Sequence, residues 1–249
     1  MKLTYINYSD INYREHQNTL IEYVIKNNLF DSSIAYTREW LEKTDFYEQN
    51  KNILDRDRLS GYALWKPYII IDALNRVENG DVIVYMDCGD IPFLGISECI
   101  KEYMKTHDQY FIAGNHTTIH KWYTKRDCFY YMNCDEEKYW DAIQLEDGFM
   151  AFKKTRFNLK FLKEFLKYCC DERIVTDIPN QCGLENLDGF KDHRHDQSIV
   201  TNLQIKYDLP CVFGHNGIRH FIKWNQLTHK DGEQYSNGTY AWGETGCIA

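Results

Sequence analysis

Asp87 and Asp90 stand three positions apart in the stretch GDVIVYMDCGDIPF, Gly80 to Phe93. The run Val82 to Met86 ahead of them is apolar throughout, so it reads as a strand buried on both faces. It delivers two acids onto a glycine-containing turn, where a plain core segment would have stayed apolar. In a three-layer α/β domain, ligands collect beyond the carboxyl ends of the strands. Two hard carboxylates there suit a divalent cation that also holds phosphates. The plain alternative is an acidic surface turn.

A second polar cluster opens DHRHDQSIVTNL, Asp192 to Leu203. Asp196 or Ser198 alone would cap the apolar helix that follows. His193, Arg194, His195 and Gln197 therefore call for a site or a buried network. Near the end of the chain, GHNGIRH sets His215 between glycines, with Gly217 two residues on, where backbone can approach a metal or phosphate closely. Arg58 and Lys66 flank a predicted helix start marked by Pro67, a position that favours an anion by charge and dipole and equally fits two solvated bases. Lys125, Arg126 and Asp127 form a charge triplet with aromatic neighbours, a solvated turn unless it faces a site.

These residues need a scaffold, and the remaining pattern supplies one. Leu3 to Tyr8 reads as a first strand ending in a polar loop, which makes Tyr5, Asn7 and Tyr8 candidates to line a nucleotide. Arg14 to Lys26 has the spacing of an amphipathic helix. Ser32 to Asp55 holds a second strand amid irregular structure. A helix through Ile69, Ile70, Ala73, Leu74 and Val77 is expected to stop at Asn79-Gly80. Gly95 to Lys105 reads as a helix, Tyr110 to Ala113 as a strand, and Gln144 to Phe152 as a strand carrying Asp147. Phe157 to Cys169 forms a helix face, Thr176 to Gly189 a long rim loop, and Cys211 to Phe213 an edge strand. Strands alternating with helices predict one α/β domain with a mixed, mostly parallel sheet between helix layers.

Composition narrows the partners. The 249 residues include 37 acids against 29 bases, a formal charge of −8, which disfavours a nucleic-acid phosphate backbone as partner. The start MKLTYINYSD has no signal-peptide pattern, and no run reaches the roughly 20 apolar residues of a membrane span. Nine cysteines are scattered without a CxxC pair, suggesting neither a disulfide framework nor a zinc knuckle, so a reducing cytoplasm is expected. The 19 Tyr and 6 Trp suit flat sugar or base surfaces as well as core packing.

Taken together, the strand end YMDCGD, the helix opening DQSIVTNL and the late GHNGIRH resemble metal-dependent glycosyltransferases of the GT-A fold, retaining ones most. GYALWKPYII, KRD and HRHDQS are locally similar to small bacterial capsule and giant-virus glycan transferases, a likeness spanning Arg58 to Leu203. The resemblance implies a single Rossmann-like αβα domain over 1–249, with a nucleotide-binding part about 1–115 and a sugar and acceptor part about 116–249. It implies Mn²⁺ or Mg²⁺ held by Asp87, Asp90 and His215, a UDP-sugar donor and a glycan acceptor. Asp196 and Gln197 would then act at the anomeric carbon, with Tyr5, Asn7, Tyr8, Arg58, Lys66, Lys125, Arg126, Asp127, Asp147, His195 and Gly217 contacting substrates. Two departures stand out: the third position of the family's D-x-D is Gly89, the acid following at Asp90, and the late motif lacks the H-x-x-G-x-x-K-P-W form of glycogenin-like enzymes. A sugar-phosphate nucleotidyltransferase would show a glycine-rich basic loop after the first strand, which YINYSDINYREH lacks. A non-catalytic carbohydrate-binding relative or an inverting enzyme of the same fold is compatible with the same residues, whereas a glycoside hydrolase would pair two acids in a recognisable arrangement that does not appear.

Overall fold

The computed structural model of the chain describes residues 1–114, 117–213 and 222–223. Its architecture follows from strands that are apolar on both faces. In β3 (Val82–Met86) all five side chains are buried. Ile83 and Tyr85 join one apolar cluster, while Val82, Val84 and Met86 join another on the opposite face. A pleated strand does this when helices cover both sides.

β3 lies between β1 (Leu3–Ser9) and β6 (Leu145–Lys153). β2 (Ser32–Thr37) flanks β1, and β5 (Gln109–Ala113) and the edge strand β7 (Val212–Phe213) continue beyond β6, giving the order β2-β1-β3-β6-β5-β7. β1 pairs in parallel with β2 and β3, and β5 with β7, whereas β6 runs antiparallel to both of its neighbours. The sheet is thus mixed and mostly parallel. β4 (Asp90–Ile91) pairs antiparallel with β8 (Ile222–Lys223) in a separate two-stranded ribbon.

Helices α1 (Arg14–Lys26) and α3 (Ile96–Tyr103) supply Leu20, Val24, Ile96 and Ile100 to one face of the sheet. Helices α2 (Trp65–Asn75), α5 (Arg156–Cys169) and α6 (His195–Lys206) supply Ile69, Ile70, Phe161, Phe165, Ile199 and Val200 to the other. A short helix α4 (Arg126–Tyr131) precedes β6. The result is the single α/β domain that the alternating pattern predicts. The reversal of β6 matters most for function. It brings the beginning of that strand to the same sheet edge as the ends of β1 and β3, where the Asp87 N–H donates to Gly148 O at 2.8 Å.

One local expectation needs correction, and one strand is new. Helix α2 ends at Asn75 rather than running to Asn79; Gly80, at φ +87°, belongs instead to the turn that leads into β3. The two-residue strand β4 was not legible, because two residues carry no period. Seven described cysteines are free thiols. Among the described residues, no helix is long and apolar enough to cross a membrane.

One segment departs from ordinary backbone altogether. Leu59, Ser60, Gly61, Tyr62 and Ala63 all have positive φ, from +50° to +92°, forming one left-handed turn just before α2. Only glycine adopts that region without penalty, each other residue costing roughly 1–2 kcal/mol. Gly61 is also sterically required, since a Cβ there would lie 2.5 Å from Leu54 Cα.

Candidate active site

The sheet edge formed by the end of β3 and the start of β6 gathers three carboxylates around one ammonium. Lys66, in the first turn of α2, is 4% exposed. Its Nζ lies 2.8 Å from Asp147 Oδ2, 2.7 Å from Asp196 Oδ2 and 4.0 Å from Asp87 Oδ1. Asp147 comes from β6, Asp196 from the start of α6 and Asp87 from the end of β3, so one lysine ties three elements together. A buried ammonium persists only when paired in this way.

The acids differ in how they hold a proton. Burial pushes Asp196 well above the usual carboxylate range, and the neighbouring Asp147 charge adds to this. Asp147 is buried as well, but the Lys66 ammonium and the hydrogen bond with Asp196 pull it below that range. Burial therefore favours the protonated form of Asp196, while the Lys66 ammonium favours the ionised form of Asp147. Asp87 is also raised, first by burial. Its side chain keeps 46% of its surface in solvent, however, and that exposure together with the Lys66 charge leaves it able to ionise. The Tyr85 hydroxyl donates to Asp87 Oδ1 and orients the carboxylate.

Asp90 completes the edge. Asp87 Oδ2 and Asp90 Oδ2 lie 3.2 and 3.4 Å from the point a Cβ on Gly148 would occupy. The glycine leaves open a cradle that two carboxylate oxygens face. Two converging hard oxygens at the end of a buried strand fit a divalent cation such as Mg²⁺ or Mn²⁺. Among the described residues, no three His, Cys, Asp or Glu side chains form a metal shell on their own. His215 and Gly217, the expected contributors from the late motif, lie outside the described residues.

Gln197 follows Asp196 at the same edge. Its Nε2 donates to Leu145 O at 2.5 Å, so the amide has its carbonyl oxygen to offer a substrate. Neither Asp196 nor Ser198 caps α6: the N-cap is Arg194, which makes no side-chain cap, and Ser198 Oγ donates to Tyr123 O.

Other expected contact residues are engaged within the protein. Tyr5 is fully buried, its ring stacked on Phe30 and its hydroxyl accepting from Asn7 Nδ2, while Asn7 Oδ1 accepts from Gln17 Nε2. Tyr8 is stacked on Trp65, ring centroids 3.9 Å apart. The reason is alternation and packing: β1 is buried along its whole length, and these side chains point into the layers rather than off the edge. Lys125 donates to Thr176 O and Ile178 O, and Asp127 accepts from the N–H groups of Gln181 and Cys182. Arg126 pairs with Asp135 at 3.0 Å. The KRD triplet thus holds the rim loop to α4. Arg58 and His195 contact each other, Arg58 Nε donating to His195 Nε2 at 2.7 Å.

Sequence reasoning missed Gly148 and Tyr85. An isolated glycine inside a strand signals a close approach, and Gly148 in LEDGFMAFK carried that signal. Tyr85 carried none, since it is an ordinary strand residue until its hydroxyl meets Asp87.

No protein-family model matches the chain, and no curated protein does. Solved structures with a similar backbone include a WbbM bifunctional glycosyltransferase (TM-score 0.48, 11% identity, 88% of this chain and 41% of that one). Others are mouse xyloside xylosyltransferase 1 (0.43, 12%, covering 85% and 71%) and a glycosyltransferase involved in glycosylation of the major capsid of PBCV-1 (0.40, 11%, covering 72% of each). Sugar-phosphate enzymes of other classes fall in the same range, so likeness at this level assigns no activity.

Proposed function

We propose that this chain is a metal-dependent glycosyltransferase that takes a sugar from a nucleotide sugar, a UDP-hexose or UDP-pentose first, and gives it to a glycan acceptor. The observation that carries the reading is the carboxylate cradle at Gly148 beside the buried Lys66, Asp147 and Asp196 cluster. Asp87 and Asp90, with His215 as a third candidate, would hold Mn²⁺ or Mg²⁺, which when bound neutralises charge building on a leaving diphosphate. Breaking a sugar–diphosphate bond also makes the anomeric carbon positive. Asp147, buried beside that centre, would supply negative charge to it, while Gln197 would offer a carbonyl oxygen and Asp196 a carboxyl directed at the sugar hydroxyls.

The same cluster supports retention of configuration. An inverting displacement needs a protein base that is ionised and free to take the acceptor proton. Asp147 and Asp196 are both bound to the Lys66 ammonium, at 2.8 and 2.7 Å, and neither is free to take that proton. In a retaining transfer, the leaving phosphate itself takes the acceptor proton on the same face.

The test is calorimetric titration of uridine diphosphate with manganese, with magnesium and with chelator, followed by turnover of a nucleotide-sugar panel. Binding that needs the cation and is lost in Asp87→Asn is the expected result. Affinity unchanged by chelator would remove the metal assignment. Proton NMR of the first-formed product reads the stereochemistry, and a β-linked product from an α-linked donor would recast Asp147 or Asp196 as the base of an inverting enzyme.

A further inference from the structure

Two cations bracket the left-handed turn 59–63, and they grip successive residues of the chain at the start of α6. Arg58, immediately before the turn, holds His195; Lys66, three residues after it, holds Asp196. His195 is doubly fixed. Its Nδ1–H donates to Val175 O at 2.7 Å, and its Nε2 accepts from Arg58 at 2.7 Å, which selects one neutral tautomer. The ring also packs against Tyr62 of the turn, centroids 4.8 Å apart. His195 itself has φ +49°, a left-handed kink placed one residue before the carboxyl that the site uses.

Strain of this kind persists only where the surroundings over-determine it, and here they do. Ser60 Oγ donates to Asp10 Oδ2 at the end of β1, Trp65 Nε1 donates to Leu59 O at 3.2 Å, and Gly61 sits against the Leu54 backbone. On the far side, Arg58 Nη2 reaches Asp192 Oδ2 at 2.9 Å and Arg58 Nε lies 3.3 Å from Asp177 Oδ2, both in the segment leading to α6. Lys66 alone could hold the Asp196 carboxylate, but it could not fix the backbone direction from which that side chain enters. Arg58 can, because it acts one residue upstream.

The geometry points to segment 58–66 as a clasp that aims Asp196, with Arg58 a positioning residue acting through His195 rather than a contact to the donor. This rests on Asp196 being a working group of the proposed transferase, but the clasp can be read without turnover.

Three variants test it by NMR: Arg58→Met, Arg58→Lys and His195→Gln. In Arg58→Met the ring ¹⁵N signature of His195 is expected to leave the fixed Nδ1–H tautomer, and the ¹³Cγ resonance of Asp196 to shift, while uridine diphosphate with manganese binds within twofold of wild type. With a turned-over donor, kcat should fall about tenfold or more at unchanged KM, the signature of misaimed chemistry. Arg58→Lys should recover part of the effect, since its ammonium still reaches Asp192. His195→Gln should leave the Asp196 resonance in place, because a carboxamide can donate to Val175 O and accept from Arg58. An Asp196 resonance unmoved in Arg58→Met overturns the clasp. So does a Kd for uridine diphosphate that rises with that resonance unmoved, which would make Arg58 a donor contact. If the resonances respond as expected but no nucleotide sugar is turned over by the wild type, the transferase reading falls and the clasp stands.

Discussion

Gly148 and Lys66 show how single residues set the chemistry. Gly148 is the residue whose missing Cβ leaves room between Asp87 and Asp90. Gly148→Ala puts a methyl 3.2 Å from a carboxylate oxygen, a contact that side chains can relieve by turning away. The fold is expected to survive with a melting temperature close to wild type, while cation-dependent uridine diphosphate affinity drops about tenfold or more, measured by calorimetry. Lys66 is the opposite case, since its removal leaves a buried negative charge without a partner. Lys66→Met is expected to destabilise the protein by about 3–5 kcal/mol in urea unfolding. Adding Asp147→Asn to it should recover part of that loss, and additive losses would show that the ion pair is not the source.

At the level of elements, the left-handed turn is the most constrained piece of the chain. Gly61→Ala combines φ +92° with a Cβ 2.5 Å from backbone that cannot rotate away. A loss of about 2 kcal/mol or more in denaturant unfolding is expected, whereas Gly183→Ala, at φ +78° in open space, should cost only about 1 kcal/mol. Equal effects at the two glycines would mean that segment 54–61 relaxes. The rim loop is an element of a different kind. Thr176 to Gly189 has no periodicity, but Lys125 and Asp127 satisfy its backbone groups from below. Those two residues looked like part of a site because of their aromatic neighbours; here the charge substitutes for regular hydrogen bonding.

For the whole molecule, three histidines buried among the described residues contribute to the response to acid. Burial depresses His120 to about 3, His193 well below its ordinary range, and His195 to a smaller extent. The unfolded chain binds protons at these rings near the ordinary pKa of about 6.5, while the folded chain does not. Stability therefore falls as pH drops from about 6.5 toward 3, with His120 contributing across that window. Melting temperature measured from pH 7 to pH 4 should decline steadily, and His120→Gln should flatten the slope. A profile that is level down to pH 5 and then falls steeply would assign acid loss to carboxylates such as Asp147 instead.

The sequence by itself determined the layers, the strands that build them and the edge at which ligands would collect. It could do so because apolar periodicity is written locally: VIVYM must be covered on both faces, and Asp87 must follow it at the tip. It also singled out Lys66, Asp147 and Asp196, though as separate residues with different roles. Only the tertiary structure brought those three within ion-pair distance, because the reversed direction of β6 is not encoded in any stretch of its own pattern. The same holds for the residues that changed role. Arg58, His195, Lys125 and Asp127 looked like substrate contacts because charge in a short motif carries no information about what lies opposite it. Residues 177, 192 and 181 lie opposite, and that pairing comes from how the chain closes across distances of more than fifty residues, where loop entropy and packing rather than local preference decide.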